Sequence, residues 1–350
     1  MGKTILHILN TGSYSGAENV VITIIEGFRR FEKYDFRFIY VSFDGAIREV
    51  LEKHNIEFEP ISSMSLKEIK RVRKKYNPDI IHAHDFTASI ICAAAAGKTP
   101  VISHIHNNSP WIKTYCANSF IYGLSCLKYR RILGVSESVF EEYVFGRLIR
   151  NKSEVIGNPI DIEKIKKAAE NTAGEAYDVV FLGRLTEQKN PLRFIDIIGK
   201  VKEIHPGVSA VMIGEGDLRS AVERKVRQLG LEENITLKGF VSNPYGILKN
   251  SKMLCIPSVW EGFGLAAVEA LALGKPVLAT PVGGLPGIVN DRCGGLFETD
   301  ETFAKEIVKL CTDKDYYECV SKYALCRANE IDNIREYIGM IGSFYKNIGR

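Results

Sequence analysis

The chain has 350 residues, 45% of them hydrophobic and 25% charged. That balance excludes a disordered chain, and the length suits two globular domains, each able to bury its own core. A formal net charge of +4 is too weak to argue for nucleic acid, but it suits anionic small molecules or an anionic membrane surface.

The chain opens on an apolar strand over 4–9, too short an apolar run for a signal peptide. No run approaches the roughly 18 apolar residues of a membrane-spanning helix. A helix is expected over 17–31, a strand over 36–41, a helix over 47–54 and a strand over 79–82. A small-residue helix over 87–96 and a strand over 100–105 follow, and segments 131–135 and 154–156 close this half. Gly157-Asn158-Pro159 breaks the pattern and reads as a linker. The alternation then restarts with strands at 178–182, 208–213, 234–237, 253–256 and 277–279. Helices at 192–201, 218–229 and 265–273 lie between them, and the chain from about residue 302 reads as helical. The strand segments lack polar alternation, which predicts parallel sheets covered by helices on both faces. The expected fold is α/β, with two Rossmann-like doubly wound domains over residues 1–157 and 158–330, facing each other across a cleft. Residues 331–350 are expected to form a helix returning to the N-terminal domain. Eight scattered cysteines make no Cys-x-x-Cys pair, so neither a zinc ribbon nor a disulfide framework is expected, and a cytoplasmic, reducing setting is.

The chemistry concentrates in three strand-to-helix loops. Residues 257–264 (Pro257 to Gly264) precede a nearly all-apolar helix that carries one carboxylate, Glu269. A carboxylate on such a helix is costly unless something bonds it, and ribose hydroxyls would. Gly262 and Gly264 flank Phe263 and let backbone approach a ligand, while the helix start from Leu265 presents amides to an anion or a sugar. The alternative is that Glu269 pairs with a buried cation and Glu261 is a surface residue. The second loop, 183–191, holds Arg184, a planar fork suited to phosphate, and Lys189, a flexible point charge. By itself it reads somewhat more readily as a solvated surface loop. Asn190 is the expected N-cap and Pro191 the first helical residue. The third loop runs from Gly12 through Ser15 and Gly16 to Glu18. Its glycine spacing does not match a nicotinamide-binding fingerprint. Gly214-Glu215-Gly216 ends a strand in the second half.

Together these residues resemble the retaining glycosyltransferases of family 4, of GT-B fold. The likeness spans nearly the whole chain and includes Lys238-Gly239-Phe240-Val241, residues 276–280 leading to Gly283-Gly284, Ile81-His82-Ala83-His84 and Val135-Ser136-Glu137-Ser138. It implies that Arg184 and Lys189 bind the diphosphate of a nucleotide-sugar donor, UDP-linked by preference. It further implies that Glu269 holds the ribose and that Glu261, with the amides of Gly262 to Leu265, holds the sugar. Gly16, Gly214, Gly216 and Val241 would line the donor, and His106 would sit near the reacting sugar. The implied acceptor is a saccharide or lipid-linked saccharide in capsule, exopolysaccharide or lipopolysaccharide synthesis. No cofactor or catalytic metal is implied. The chain departs from many relatives in carrying Gly287, not an acid, after Pro286.

The histidines invite separate weighing. His82 and His84, with Asp85, have the makings of a metal site, but no further ligand is evident, so no metal is expected. His104 and His106 are read as alternating between sheet faces, with at most one reaching the ligand side. Residues 111–131 mix aromatics with Lys128, Arg130 and Arg131. They suit either a membrane surface on the inner face of the plasma membrane or, by preference, a packed helix between domains. A sugar-nucleotide epimerase and a non-catalytic binding subunit are the rival readings.

Overall fold

The computed structural model describes residues 2–14, 16–31, 34–170 and 175–348; Ser15 lies outside them. The chain forms two compact units, Met1–Pro159 with Asn333–Arg350, and Ile160–Asp332.

In the first unit the strands are β1 (Thr4–Ile8), β2 (Arg37–Ser42), β3 (Glu57–Pro60), β4 (Ile80–His84), β5 (Val101–Ile105), β6 (Tyr129–Gly134) and β7 (Ser153–Val155). All neighbours are parallel, in the order β3-β2-β1-β4-β5-β6-β7. Direction along the sheet reverses between β1 and β4. β3 was not expected, because Glu57-Phe58-Glu59-Pro60 does not read as an apolar strand. It is an edge strand, where Pro is tolerated. Its buried Glu59 is held by Arg71 Nη1 at 2.6 Å, Lys75 Nζ at 2.5 Å and the Tyr76 hydroxyl at 2.8 Å. All three donors lie on the helix Leu66–Tyr76, which the periodicity reading also passed over. The C-terminal helix Ile334–Asn347 packs on the helix Gly16–Phe31, with Ile338 filling the space beside Gly27. Lys3 Nζ ties it down by donating to the Tyr345 and Ile348 carbonyls at 2.8 and 2.7 Å.

In the second unit the strands are β8 (Val179–Leu182), β9 (Ala210–Ile213), β10 (Ile235–Gly239), β11 (Met253–Ile256), β12 (Val277–Ala279) and β13 (Gly294–Leu296). They too are parallel, in the order β10-β9-β8-β11-β12-β13, and the reversal falls between β8 and β11. Successive residues feed opposite faces. Val179 and Phe181 join one core with Phe194, Ile198 and Phe303, and Val180 joins another with Leu254, Val268 and Leu271. Two-sided burial is why these strands read as unbroken apolar runs. Each fully buried Val, Leu, Ile or Phe contributes about 1.5–3 kcal/mol over an exposed one. β13 was missed because Gly294-Gly295 has no side chain to signal a strand, and Gly294 has a φ of +139°.

Candidate functional site

Ligands of open parallel sheets bind beyond the carboxyl ends of the strands, where the strand order reverses. In the second unit that point lies between the loops after β8 and β11, which carry Arg184 and Lys189 on one side and Glu261 on the other. The structure ties these loops together. Lys189 Nζ donates to Glu261 Oε1 at 2.5 Å, and the Ser258 hydroxyl donates to the same oxygen at 2.8 Å. Gln188 bonds the second loop twice, through its Nε2 to the Trp260 carbonyl at 3.2 Å and through its carbonyl to the Val259 N–H at 2.8 Å. Glu261 is only 4% exposed, so it is not a surface residue. Arg184 stays exposed, its Nη2 donating to Gln188 Oε1 at 3.4 Å. Two polar atoms of these loops, Thr186 Oγ1 and Trp260 Nε1, are buried without a partner. Orphaned donors of this kind mark a place where water or ligand completes the bonding.

Glycine permits the close approach of the loops. Gly214 has a φ of +139°, and a Cβ there would lie 2.0 Å from the Gly183 carbonyl oxygen. Gly283 has a φ of +57°, and a Cβ would lie 1.7 Å from the Glu261 carbonyl oxygen. Gly216 packs in the same way on Leu185. The internal packing thus explains Gly214 and Gly216 before any ligand is invoked. Val241 packs against the core that holds Val268.

The helix Leu265–Ala272 starts from Gly264, whose φ of +104° turns the chain out of the loop. Its first amides have no carbonyl one turn back and point out of the helix mouth. Glu269 is half-buried and bonded by the Tyr245 hydroxyl at 3.1 Å, not by a buried cation. Burial pushes its carboxyl up to about 7, against the opposing pull of Tyr245 and Lys189. Asn190 and Pro191 open the helix Pro191–Ile204 as expected. Asn190, however, is left-handed with a φ of +51° and makes no side-chain cap bond.

The reversal in the first unit, between β1 and β4, is built differently. His7 on β1 pairs in register with His82 on β4, and His84 with His104 on β5. His106 stands just past the end of β5. The expectation that His104 and His106 point to opposite faces is wrong. A strand repeats every two residues, so positions two apart share a face. Their rings lie 4.1 Å apart. Further imidazoles that the sequence could not place beside this pair are there, since His7, His104 and His106 converge on His82 and His84. Hydrogen bonds thread the five rings into one line. His106 Nε2 meets His84 Nδ1 at 2.8 Å, and His84 Nε2 meets His7 Nδ1 at 2.9 Å. His7 Nε2 and His82 Nδ1 both meet the Tyr345 hydroxyl, at 3.3 and 2.6 Å, and His82 Nε2 meets His104 Nδ1 at 3.2 Å. Burial holds all five rings well below the ordinary imidazole range, His7 and His106 down to about 3, so they are neutral at pH 7. Asp85 follows His84 with a φ of +62°, and its Oδ1 accepts from the His106 backbone N–H at 2.9 Å. Strain at a non-glycine residue beside the cluster fits a functional position. Gly16 begins the helix Gly16–Phe31 at the mouth of the same sheet.

The 111–131 aromatics divide between the core of the first unit and its surface. Ile112 and Tyr122 are core residues, but Tyr115, Phe120, Ile121, Leu124 and Leu127 are exposed, Tyr115 by 74% and Leu127 by 75%. The helix Ala117–Ser125 buries one face only. Lys128, Arg130 and Arg131 beside it are exposed. No helix of the described residues is long and apolar enough to cross a membrane.

Two family models match successive parts of the chain. Residues 14–164 match Glycosyltransferase Family 4, and residues 162–326 match Glycosyl transferases group 1. An uncharacterized glycosyltransferase of Methanocaldococcus jannaschii is 30% identical over 69% of this chain and 68% of its own length. The UDP-Gal:alpha-D-GlcNAc-diphosphoundecaprenol alpha-1,3-galactosyltransferase of Escherichia coli is 27% identical over 71% and 70%. For a second M. jannaschii glycosyltransferase, 26% identical, the match takes in 61% of this chain but only 58% of that protein. The crystal structure of Anabaena HepE in complex with UDP and glucose superposes with a TM-score of 0.84 at 21% identity, covering 98% of this chain and 99% of that one. Two doubly wound units, each with loops gathered at its reversal point, and the run of family matches from residue 14 to 326 agree: the chain belongs to the GT-B glycosyltransferases.

Proposed function

We propose that the protein transfers a sugar from a nucleoside-diphosphate sugar to a saccharide or lipid-linked saccharide, with retention of anomeric configuration, as a hexosyltransferase of family 4. The observation that carries this reading is the junction of the loops after β8 and β11, where Arg184, the Lys189–Glu261 pair and the amides before Leu265 meet. Breaking the anomeric C–O bond puts positive charge on the sugar and negative charge on the departing diphosphate. Exposed Arg184 and the helix mouth neutralise that anion as it forms. Lys189 divides its charge between the diphosphate and Glu261, and so fixes the carboxylate that faces the sugar. Glu269 and Tyr245 receive the ribose hydroxyls. The acceptor hydroxyl attacks from the face the leaving group vacates, and the departing phosphate oxygen takes its proton. No metal takes part in the transfer.

The preference for UDP is in keeping with the E. coli relative, which by its name takes UDP-galactose as donor and a diphosphoundecaprenol-linked sugar as acceptor. A role in surface-polysaccharide synthesis is in keeping with a 27%-identical Klebsiella pneumoniae protein of the cps region. The exposed Tyr115, Phe120, Ile121, Leu124 and Leu127, bordered by Lys128, Arg130 and Arg131, support peripheral contact with an anionic inner leaflet. A thermal-shift panel of UDP, GDP, ADP and TDP tests the donor site. UDP near 100 times its dissociation constant should add about 2.7 kcal/mol of stability. If none of the four shifts the transition, the reading fails. Flotation with anionic liposomes tests the membrane contact, which Leu124→Asp with Leu127→Asp should abolish.

A further inference from the structure

Beyond glycosyl transfer, we propose that His84, His104 and His106 form a binding site for a divalent transition-metal ion of the zinc type. Each offers one ring nitrogen, and the three nitrogens lie within 4.8 Å of one another. Two ligand rings are already braced from behind. His84 Nε2 is engaged by His7 Nδ1, and His104 Nδ1 by His82 Nε2. That leaves Nδ1 of His84 and Nε2 of His104 for the ion, and His104 Nε2 is a buried atom with no partner. Metal-bound histidines are held in this way, each outer nitrogen fixed by a second layer of groups. Here the second layer is itself imidazole and is anchored on Tyr345.

The fit requires the rings to adjust. His84 Nδ1 and His106 Nε2 stand 2.8 Å apart. Tetrahedral zinc with nitrogens at about 2.0–2.1 Å separates its ligands by about 3.3 Å. His106 lies one residue beyond β5 and is partly exposed, so it is the ring that can give way and the side from which an ion enters. Three imidazoles and an open fourth position suit zinc, cobalt or nickel better than the oxygen-seeking magnesium or calcium. The ion is not the Lewis acid of the transfer, and its binding is read with no nucleotide present. A failed nucleotide shift and a failed ion titration are therefore separate results.

The test uses untagged full-length protein stripped with chelator and titrated with Co2+, a spectroscopic stand-in for zinc. One equivalent should bind with the intense visible absorption of four-coordinate cobalt, and zinc should displace it. His84→Ala and His104→Ala should each lower the affinity at least about 100-fold, and His82→Gln, in the second layer, about 10- to 100-fold. His54→Ala, outside the cluster and paired with Glu26, should leave binding unchanged. A cooperative thermal transition establishes that each variant is folded; His104→Gln, which keeps a polar side chain beside His82, replaces His104→Ala should the latter not fold. Absence of a stoichiometric site overturns the proposal, since the rings then form only a hydrogen-bonded line. Binding retained at full affinity by the folded His104 variant overturns it, as does a near-ultraviolet thiolate band placing the ion on cysteine.

Discussion

The two sheets share a strand order through six strands and reverse direction at the same topological point, yet they deliver opposite chemistry there. In the second unit the reversal between β8 and β11 presents fixed charge, with Arg184 exposed and Lys189 bonded to Glu261. In the first, the reversal between β1 and β4 presents uncharged imidazoles packed under Tyr345. Backbone topology decides where a ligand can sit, and the side chains at the loop ends decide what kind. A charged, partly open mouth suits an anion, whereas a buried cluster of imidazole lone pairs suits a transition-metal ion.

The comparison breaks most readily at Arg184. Its exposure predicts that Arg184→Ala changes stability by no more than about 0.5 kcal/mol. The loss of anion stabilisation should lower the transfer rate about 10²- to 10³-fold. Normal turnover in that variant, measured as UDP release, would remove the diphosphate assignment. Lys189→Met sits next. It leaves a buried carboxylate unpaired, which should cost about 3 kcal/mol in urea unfolding. Adding Glu261→Gln should recover much of that stability without restoring transfer, because the two residues couple.

The imidazole region is sharpened by acid. Its rings titrate far below their ordinary value of 6.5, His7 and His106 near 3. Between those limits the unfolded chain binds protons that the folded chain refuses. Stability from the cluster is therefore intact above pH 6.5 and falls as pH drops, by about 1.4 kcal/mol per pH unit for each imidazole. Urea midpoints across pH 4–7 measure this slope, and His82→Gln should make it shallower. The smallest effect belongs to Glu269. Its carboxyl sits at about 7 and would fall once ribose hydroxyls donate to it. UDP binding near pH 7 should then release a fraction of a proton and tighten as pH rises. Calorimetry in two buffers of different ionisation enthalpy reads that fraction, and proton uptake would place the ribose elsewhere.

Much of the second site was legible because its parts are short-range. Arg184, Lys189, Glu261 and the helix behind Gly264 lie within two loops whose strands announce themselves as apolar runs. Ser258 and Gln188 lay inside the same segments but gave no sign that they would clamp one loop to the other. Tyr245 was not visible at all, since nothing local connects it to Glu269, 24 residues away. The capping pair Ser65 and Glu68 could have revealed the helix Leu66–Tyr76, where the Ser65 hydroxyl accepts from the Glu68 N–H.

What the sequence determined on its own is the succession of buried parallel strands and covering helices, because burial on both faces leaves an unbroken apolar signature in local residue order. It also marked the loops where charge and glycine coincide. Only tertiary structure decided that five histidines from three strands meet beneath a tyrosine of the last helix, His82 and Tyr345 being 263 residues apart. Strand order and register bring such residues together, and those depend on pairings between distant segments that leave no mark on any one of them.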